Sequence, residues 1–483
     1  MKKLESVLVL GNSWHSLLVA CALKKKTANL KVTLIYDAQK IDGAVSVKRE
    51  LSSLLSILEL TQESLLRLCD GTYFLAHHIL DETSEREFYW SVDDYGVSDE
   101  VVDFHQLFER FLWPEAAYED FCVTAQLAKS GKVIDTHSIV SVSMAQNTNR
   151  NSTGLHLNII PFTQLLLRYA EYLGVLVARN VVVNELAEKE NSVSPCIAHA
   201  ADFVIDASMI RDDFWSQGNA DASDWTHYFG DRSSVHLFGA GEFDSNPTTK
   251  LRISDGGLVN AIPLRTGVAY EYRGNKVALE KSSTQPWRMK LEKKCQNNMF
   301  GSLRRPWQED RLALGPAAAR PDNLLVSDLD LLMRELALLL DLWPSVPFQI
   351  SLAQEYNRLV TDLYRSVRDV HLLGYWLMQG GELSDLQALP AELRAEIEVF
   401  IASSRLPHRD ERYPAASEWI SLLMGLKKWP IHFPPLRLQR AGDEYPDFFQ
   451  RIRSKVREIV ANAPHQVVHI NGLLRNQSNN AER

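Results

Sequence analysis

Between an all-apolar run, Val7-Leu8-Val9-Leu10, and a stretch of helical character, Leu17 to Lys24, lies the turn Gly11-Asn12-Ser13-Trp14-His15-Ser16. A turn that carries a buried strand into a helix presents backbone N–H groups and the positive end of the helix dipole, the chemistry needed to hold a phosphate. A second apolar run, Val32-Thr33-Leu34-Ile35, follows at the distance of a βαβ unit and ends in Tyr36-Asp37. An acid there can accept from a ribose hydroxyl, or serve as an ordinary surface acid. The dinucleotide fingerprint wants glycine at its first, third and sixth positions, and this turn offers Gly11, Ser13 and Ser16. The second glycine lets the backbone approach a pyrophosphate, and the third lets helix and strand pack closely. Each serine adds a Cβ, at a cost of about 1–2 kcal/mol where a left-handed conformation is required. Trp14 and His15 can stack on a ligand's ring system or pack over the helix start. These residues predict a Rossmann-type α/β fold with its nucleotide chemistry weakened.

Other groups that could do chemistry are scattered. His77 and His78 are adjacent, and neighbours on a strand point to opposite faces, which argues against a shared metal. His105, His371 and His432 show no ligand spacing, so no metal site is expected. Cys21, Cys69, Cys122, Cys196 and Cys295 have no paired spacing, which fits neither a zinc site nor a disulfide framework and suits a reducing cytosol. Nothing fixes a serine on an exposed elbow, so no Ser-His-Asp arrangement can be inferred. Trp307, Trp343, Trp376, Trp419 and Trp429 can line a pocket for an aromatic ligand, but packing accounts for them equally well.

The elements that must position these residues follow from periodicity. Asp42 to Leu68 reads as helical, and Thr72 to Leu80 as a strand. Residues 81–100 are acidic and polar, hence loop, and residues 143–154 form the clearest polar interruption. A helix is expected over Pro161 to Leu173, then strands around Val175 to Val183 and Phe203 to Asp206. Further strands are expected at Ser234 to Phe238, Val268 to Tyr272 and Leu312 to Gly315, the last leading into the small-residue turn Gly315-Pro316-Ala317-Ala318-Ala319. From Leu324 onward the pattern is helical. We therefore expect a discontinuous nucleotide-type domain with an interleaved sheet over 1–350, a helical region over 351–475 and a polar tail over 476–483. The chain has 483 residues, 45% of them apolar and 23% charged, which suits a globular protein. Its net charge of −9 argues against nucleic acid as a partner. No apolar stretch approaches the roughly 20 residues of a membrane span. The first strand begins too early to leave room for a signal peptide, so a cytoplasmic location is expected.

Several segments share their order with one known pattern. Gln354-Glu355-Tyr356-Asn357-Arg358, then Tyr364, Arg368-Asp369, His371 and Tyr375, match a helix bearing an aromatic-Asn-Arg, a Tyr, Ile-Arg-Asp and His-Tyr. Ala201 to Ser208 is similar to Asp-x-x-Ile-Asp-Cys-Ser. Gly154 to Gly174 follows a His-Phe-Asp segment and its helix, and Ile262-Pro263-Leu264 with Arg265, Gly267 and Tyr270 follows Ile-Pro-Leu and Arg-x-Gly-x-Gly-Tyr. Together these resemble the flavin-dependent tryptophan halogenases, a family with an FAD monooxygenase fold. The resemblance implies FAD, its reduced form supplied by a separate flavin reductase, and a small aromatic substrate, and it is compatible with a dimer. It places Gly11, Ser13, Ser16, Asp37, Gly315 and Ala318 around the flavin.

The departures fall on the residues that carry that family's chemistry. Its lysine, thought to hold or activate hypohalous acid, follows a Thr-Phe pair; here Thr72-Tyr73 is followed by Phe74. Its Trp-x-Trp-x-Ile-Pro survives as Leu258-Val259-Asn260-Ala261-Ile262-Pro263. Its Glu-Pro-Leu-Glu-Ser-Thr-Ser, source of the glutamate and the halide contacts, corresponds to Asp322-Asn323-Leu324-Leu325-Val326-Ser327-Asp328. Leu325 replaces the glutamate, and Asp328 would repel a halide facing the same pocket. General-acid help alone is worth about 10²–10⁴-fold. Two expectations remain open. One is an FAD-dependent monooxygenase for an aromatic substrate that does not halogenate. The other is a pseudoenzyme kept for binding or assembly, its cleft filled by Trp14 or Phe74.

Overall fold

The structure is a computed structural model that describes residues 3–27, 29–37, 42–81, 86–98, 102–134, 153–179, 201–209, 222–229, 233–240, 246–254, 257–274, 296–297, 300–322, 324–406, 413–432 and 445–481. The chain divides into two compact units, Met1–Gly71 with Leu157–Gly230 and Asn298–Arg365, and Thr72–His156 with Asp231–Asn297 and Ser366–Arg483. Most of the polar interruption at 143–154 lies outside the described residues, as do Cys196 and Cys295.

The first unit is built on a Rossmann-type sheet. Strand β1 (Ser6–Gly11) has no polar face, so it is stable only with cover on both sides and neighbours at both edges. It pairs in parallel with β2 (Lys31–Tyr36), from Ser6↔Lys31 to Gly11↔Tyr36, and on its other side with Phe203–Asp206. Among the described residues the sheet runs 307–308, 311–313, 203–206, β1, β2, 176–179. Between β1 and β2 the chain forms helix α1 (Trp14–Lys26), buried continuously from Trp14 to Leu23. Its small residues Ala20, Cys21 and Ala22 permit that depth. The helix begins at Trp14, three residues earlier than its sequence pattern indicates. Ser13 is the extended N-cap residue, with φ −148°. The expected six-residue turn is therefore only Asn12-Ser13, and Trp14 and His15 occupy the first helical positions.

Two further segments correct the pattern reading. Asp42 to Leu68 is not one helical stretch: Ala44–Val47 is a strand, and helices Leu51–Leu58 and Gln62–Leu68 follow. β-branched Val45 and Val47 favour the strand. Glu59, left-handed at φ 54°, closes the first helix, and the Thr61 hydroxyl opens the second by accepting the Ser64 N–H. Helix α2 (Asp328–Asp341) is capped by Ser327, whose hydroxyl accepts the Asp330 N–H at 3.0 Å.

In the second unit, Thr72 to Leu80 breaks at Leu75 into strands Thr72–Phe74 and Ala76–Asp81. The first pairs antiparallel with the segment from Gly154 to His156. The second joins a sheet ordered 296–297, 233–240, 267–274, 257–264, 248–254, 76–81, 86–90. The last of these strands, Arg86–Trp90, falls in the stretch expected to be loop; Phe88, Tyr89 and Trp90 supply its β-preference despite acidic flanks. The C-terminal part is helical, as expected, through Ile350–Met378, Ala391–Ser403, Ala416–Leu426, Tyr445–Asn462 and Gln466–Ala481. The polar tail thus continues the last helix, because polar composition does not preclude helical propensity. No described helix is long and apolar enough to cross a membrane.

Two helical glycines test the packing. A Cβ on Gly425 would lie 2.0 Å from Cζ of the buried Phe88 ring, whereas one on Gly472 would meet nothing within 4 Å. Chemical denaturation should show Gly425→Ala losing about 1–3 kcal/mol to overpacking. Gly472→Ala should gain up to about 1 kcal/mol from helix propensity.

Candidate functional site

At the carboxyl end of β1 the chain turns through Asn12 and Ser13 into α1. In an α/β sheet this is where ligands bind, and a helix N-terminus favours an anion. Asp37 stands beside the turn: its N–H donates to the Gly11 carbonyl at 3.2 Å. The turn itself is covered by protein. Relative exposures are 4% for Asn12, 2% for Ser13, 3% for Trp14, 2% for His15 and 0% for Ser16. The Trp14 and His15 rings stack at 3.6 Å, and Trp14 continues to Phe162 at 6.0 Å. Ser13 Oγ is 2.9 Å from His15 Nδ1, and Ser16 Oγ donates to the Ser13 carbonyl at 2.9 Å. A Cβ on Gly11 would fall 2.1 Å from the Ser16 Cβ, so the serine side chain occupies the room that the glycine leaves. Burial, reinforced by the Arg320 guanidinium, lowers the His15 pKa to about 3. The ring is neutral, and its Nε2 is buried without a partner.

The second turn, Gly315–Ala319, leaves the neighbouring end of the same sheet, after Arg311–Ala313. Gly315 adopts φ +57°, a conformation that favours glycine, and a Cβ there would lie 3.5 Å from the His15 ring. Ala318 is fully buried and donates its N–H to the Gly315 carbonyl at 2.9 Å. The Gly315 N–H donates to Glu335 Oε2 at 2.7 Å. Glu335, on α2, is buried with the hydroxyls of Tyr356 and Tyr364, and burial raises its pKa to about 7. Reading the chain from Leu324 onward simply as helical missed this group. Its signal was an acid placed three residues after Leu332 and four before Leu339, on a buried face.

The sequence resemblance sets Phe74, Leu325 and Asp328 against the family's lysine, glutamate and halide contact. Phe74 is buried, 4.6 Å from the His156 ring and 5.0 Å from the His77 ring, and His77 stacks on Trp90 at 5.2 Å. Burial lowers the His156 pKa to about 3, so no positive charge stands against Phe74 from that side. His78 faces away, stacked on Tyr89 and 2.7 Å from Glu87. Lys129 is exposed, over the Tyr89 ring. Among the described residues Lys48 and Lys427 are the buried lysines. Lys427 is committed: it pairs with Glu109 at 2.7 Å, donates to the Trp429 carbonyl and lies over Trp113 at 3.8 Å. Leu325 is buried, and its carbonyl accepts from Arg49 at 3.3 Å. Asp328 and Asp330 occupy the first turn of α2, where they already compensate its dipole. Asp330 also accepts the Lys48 and Glu50 N–H groups at 3.1 and 3.0 Å. Among the described residues no group of three His, Cys, Asp or Glu could hold a metal.

Parallel sheet, strand-turn-helix entry and a second turn at the same end of the sheet, two strands away, define a dinucleotide-binding type of α/β fold. Residues 6–441 match the family described as tryptophan halogenase, and the chain belongs to that family. No curated protein matches it in sequence. Its fold is similar to that of BrvH, a flavin-dependent halogenase from Brevundimonas sp. BAL3, with a TM-score of 0.81 and 18% identity over 98% of this chain and 99% of that one. Similar too are Xcc4156, a flavin-dependent halogenase from Xanthomonas campestris (0.80, 18% identity, 98% of both chains), and a tryptophan halogenase from Shewanella frigidimarina NCIMB 400 (0.80, 15% identity, 98% of both chains). The family implies an FAD-type flavin. The first turn does not fit that group: a pyrophosphate must lie against backbone N–H groups that here are covered by side chains.

Glu335 makes stability depend on pH. Its folded pKa lies above the unfolded value, so the folded state holds the extra proton. Stability therefore falls as pH rises from about 4.5 through about 7. Glu335→Gln should raise stability at pH 8 by about 2 kcal/mol and change it little at pH 5. Thermal melts at the two pH values check this, and the raised pKa of Glu119 leaves part of the slope in the variant.

Proposed function

We propose that this chain is a halogenase-family protein that does not halogenate and whose fold is retained as a binding or assembly module. The observation that carries the reading is the environment of Phe74. A phenyl ring packed against the buried His77 and His156 rings has no amine to accept halogen and no donor to orient hypohalous acid. The buried, aliphatic Leu325 offers no acid or base, and the two aspartates on the first turn of α2 oppose an anion there. Replacement of lysine, glutamate and halide contacts together takes away the halogen carrier, the acid and the halide site of the family's reaction.

A second reading is an FAD-dependent monooxygenase acting on a small aromatic substrate, with reduced flavin supplied by a separate reductase in the cytoplasm. It is favoured by Asp37 beside the first turn and by Gly315 in its left-handed conformation at the second. The cover over residues 12–16 weighs against it.

Incubation of the purified chain with a flavin reductase, NADH, FAD, oxygen, bromide and a panel of indoles and phenols separates the readings by mass spectrometry. We expect neither brominated nor oxygenated product, and the same from Phe74→Lys, because one amine does not restore the other sites. Oxygenated product would establish the monooxygenase, and brominated product from the unaltered chain would overturn both readings.

A further inference from the structure

The geometry points to the Trp14–His15 pair as a built-in occupant of an anion cradle that is otherwise preserved, so that the protein's own rings take the place of a ligand phosphate. This rests on the binding-module reading and explains how that state is maintained.

Two sets of observations carry it. The first concerns space. The His15 ring is 3.5 Å from the Cβ position at Gly315, so it stands between the two turns that leave the sheet ends. Trp14 covers it by stacking, and the Ser16 side chain fills the room over Gly11. The second concerns charge. No side chain caps α1: Ser13 Oγ is engaged with His15 Nδ1, and the helix's positive end is left uncompensated by any acid in its first turn. Arg320 adds positive potential, its guanidinium hydrogen-bonded to the Met209 and Pro316 carbonyls. Burial first, and that field second, disfavour an imidazolium, so the occupant is a neutral ring. His15 Nε2 is left buried and unpartnered, as expected of a ring held by stacking and shape in a place suited to an anion. The electrostatics of a phosphate site persist, and only the volume is missing.

Removing the occupant should therefore create binding rather than destroy it. The full chain and the variants Trp14→Ala/His15→Ala and His15→Ala would be titrated with oxidised FAD, and separately with ADP, by calorimetry and flavin fluorescence. The unaltered chain should show no saturable binding. The double variant should bind both probes, with an affinity at least ~10-fold above the limit set by the unaltered chain. His15→Ala should show a smaller gain. Added Ser13→Gly should strengthen binding further by letting the backbone closer. Saturable micromolar FAD binding by the unaltered chain would overturn the binding-module reading and this inference with it. Folded variants that gain nothing would overturn the inference alone. If the double variant does not fold, His15→Ala decides: amide exchange at residues 13–17 should quicken and be slowed again by ADP, and exchange insensitive to ADP overturns the inference.

Discussion

The constraint on which the first unit depends is room at the carboxyl ends of its parallel strands. A phosphate held by a helix N-terminus needs backbone N–H groups within hydrogen-bond reach, and each Cβ nearby competes for that space. Here residues 12–16 are buried by protein atoms. Gly11 is still required, but for a changed reason: its missing Cβ makes room for the Ser16 side chain, whose hydroxyl is spent on the Ser13 carbonyl. Gly315 is required for its backbone conformation alone. Two glycines that look like relics of nucleotide binding therefore have present structural uses as well.

Charged groups inside both units follow one logic. Asp330 is surrounded by the Lys48 and Glu50 N–H groups, the Ser327 cap and Arg49 at 3.8 Å. Glu335 holds the Gly315 N–H, and in the second unit Lys427 is bound to Glu109 and the Trp429 carbonyl. A buried charge that lost its partner would cost several kcal/mol, so these groups are staples committed to the fold. Side chains so committed are poor candidates for acid, base or halogen carrier. Catalytic groups must change partners during a reaction, and structural staples must not.

The fold was legible where pattern and burial agree. The unbroken apolar run of β1, the Val32–Ile35 run and the small residues of α1 specify a parallel sheet with a close-packed helix, and the C-terminal helices follow from their spacing. Legibility failed where short-range composition and tertiary context conflict. Acidic flanks hid the aromatic strand Arg86–Trp90, and a leucine-rich period hid the strand Ala44–Val47. At the site, the proposed replacements at Phe74, Leu325 and Asp328 are legible in sequence because each would exchange one chemical type for another. The state of the turn was readable only as two alternatives. Trp14 and His15 can stack on a ligand or on each other, and sequence cannot decide which way a ring points. Glu335 was missed because an acid in an apolar helix looks exposed until the opposite face is also found to be buried.

The direction of the replacements bears on why such a fold would persist. Active sites hold groups in costly states: uncompensated charge, backbone left open to ligands, polar atoms without partners. Under the proposed correspondence each change is toward lower cost: phenylalanine at position 74 would stand where the family has an amine, leucine at 325 where it has a carboxyl, and the aspartates of α2 lie at a helix end that would otherwise attract an anion. His15 Nε2, buried without a hydrogen-bond partner in the first turn, goes against this trend. A well-packed β1 and α1 and a left-handed Gly315 are what the proposed binding-module reading requires of the scaffold, whereas a fold by itself assigns no function.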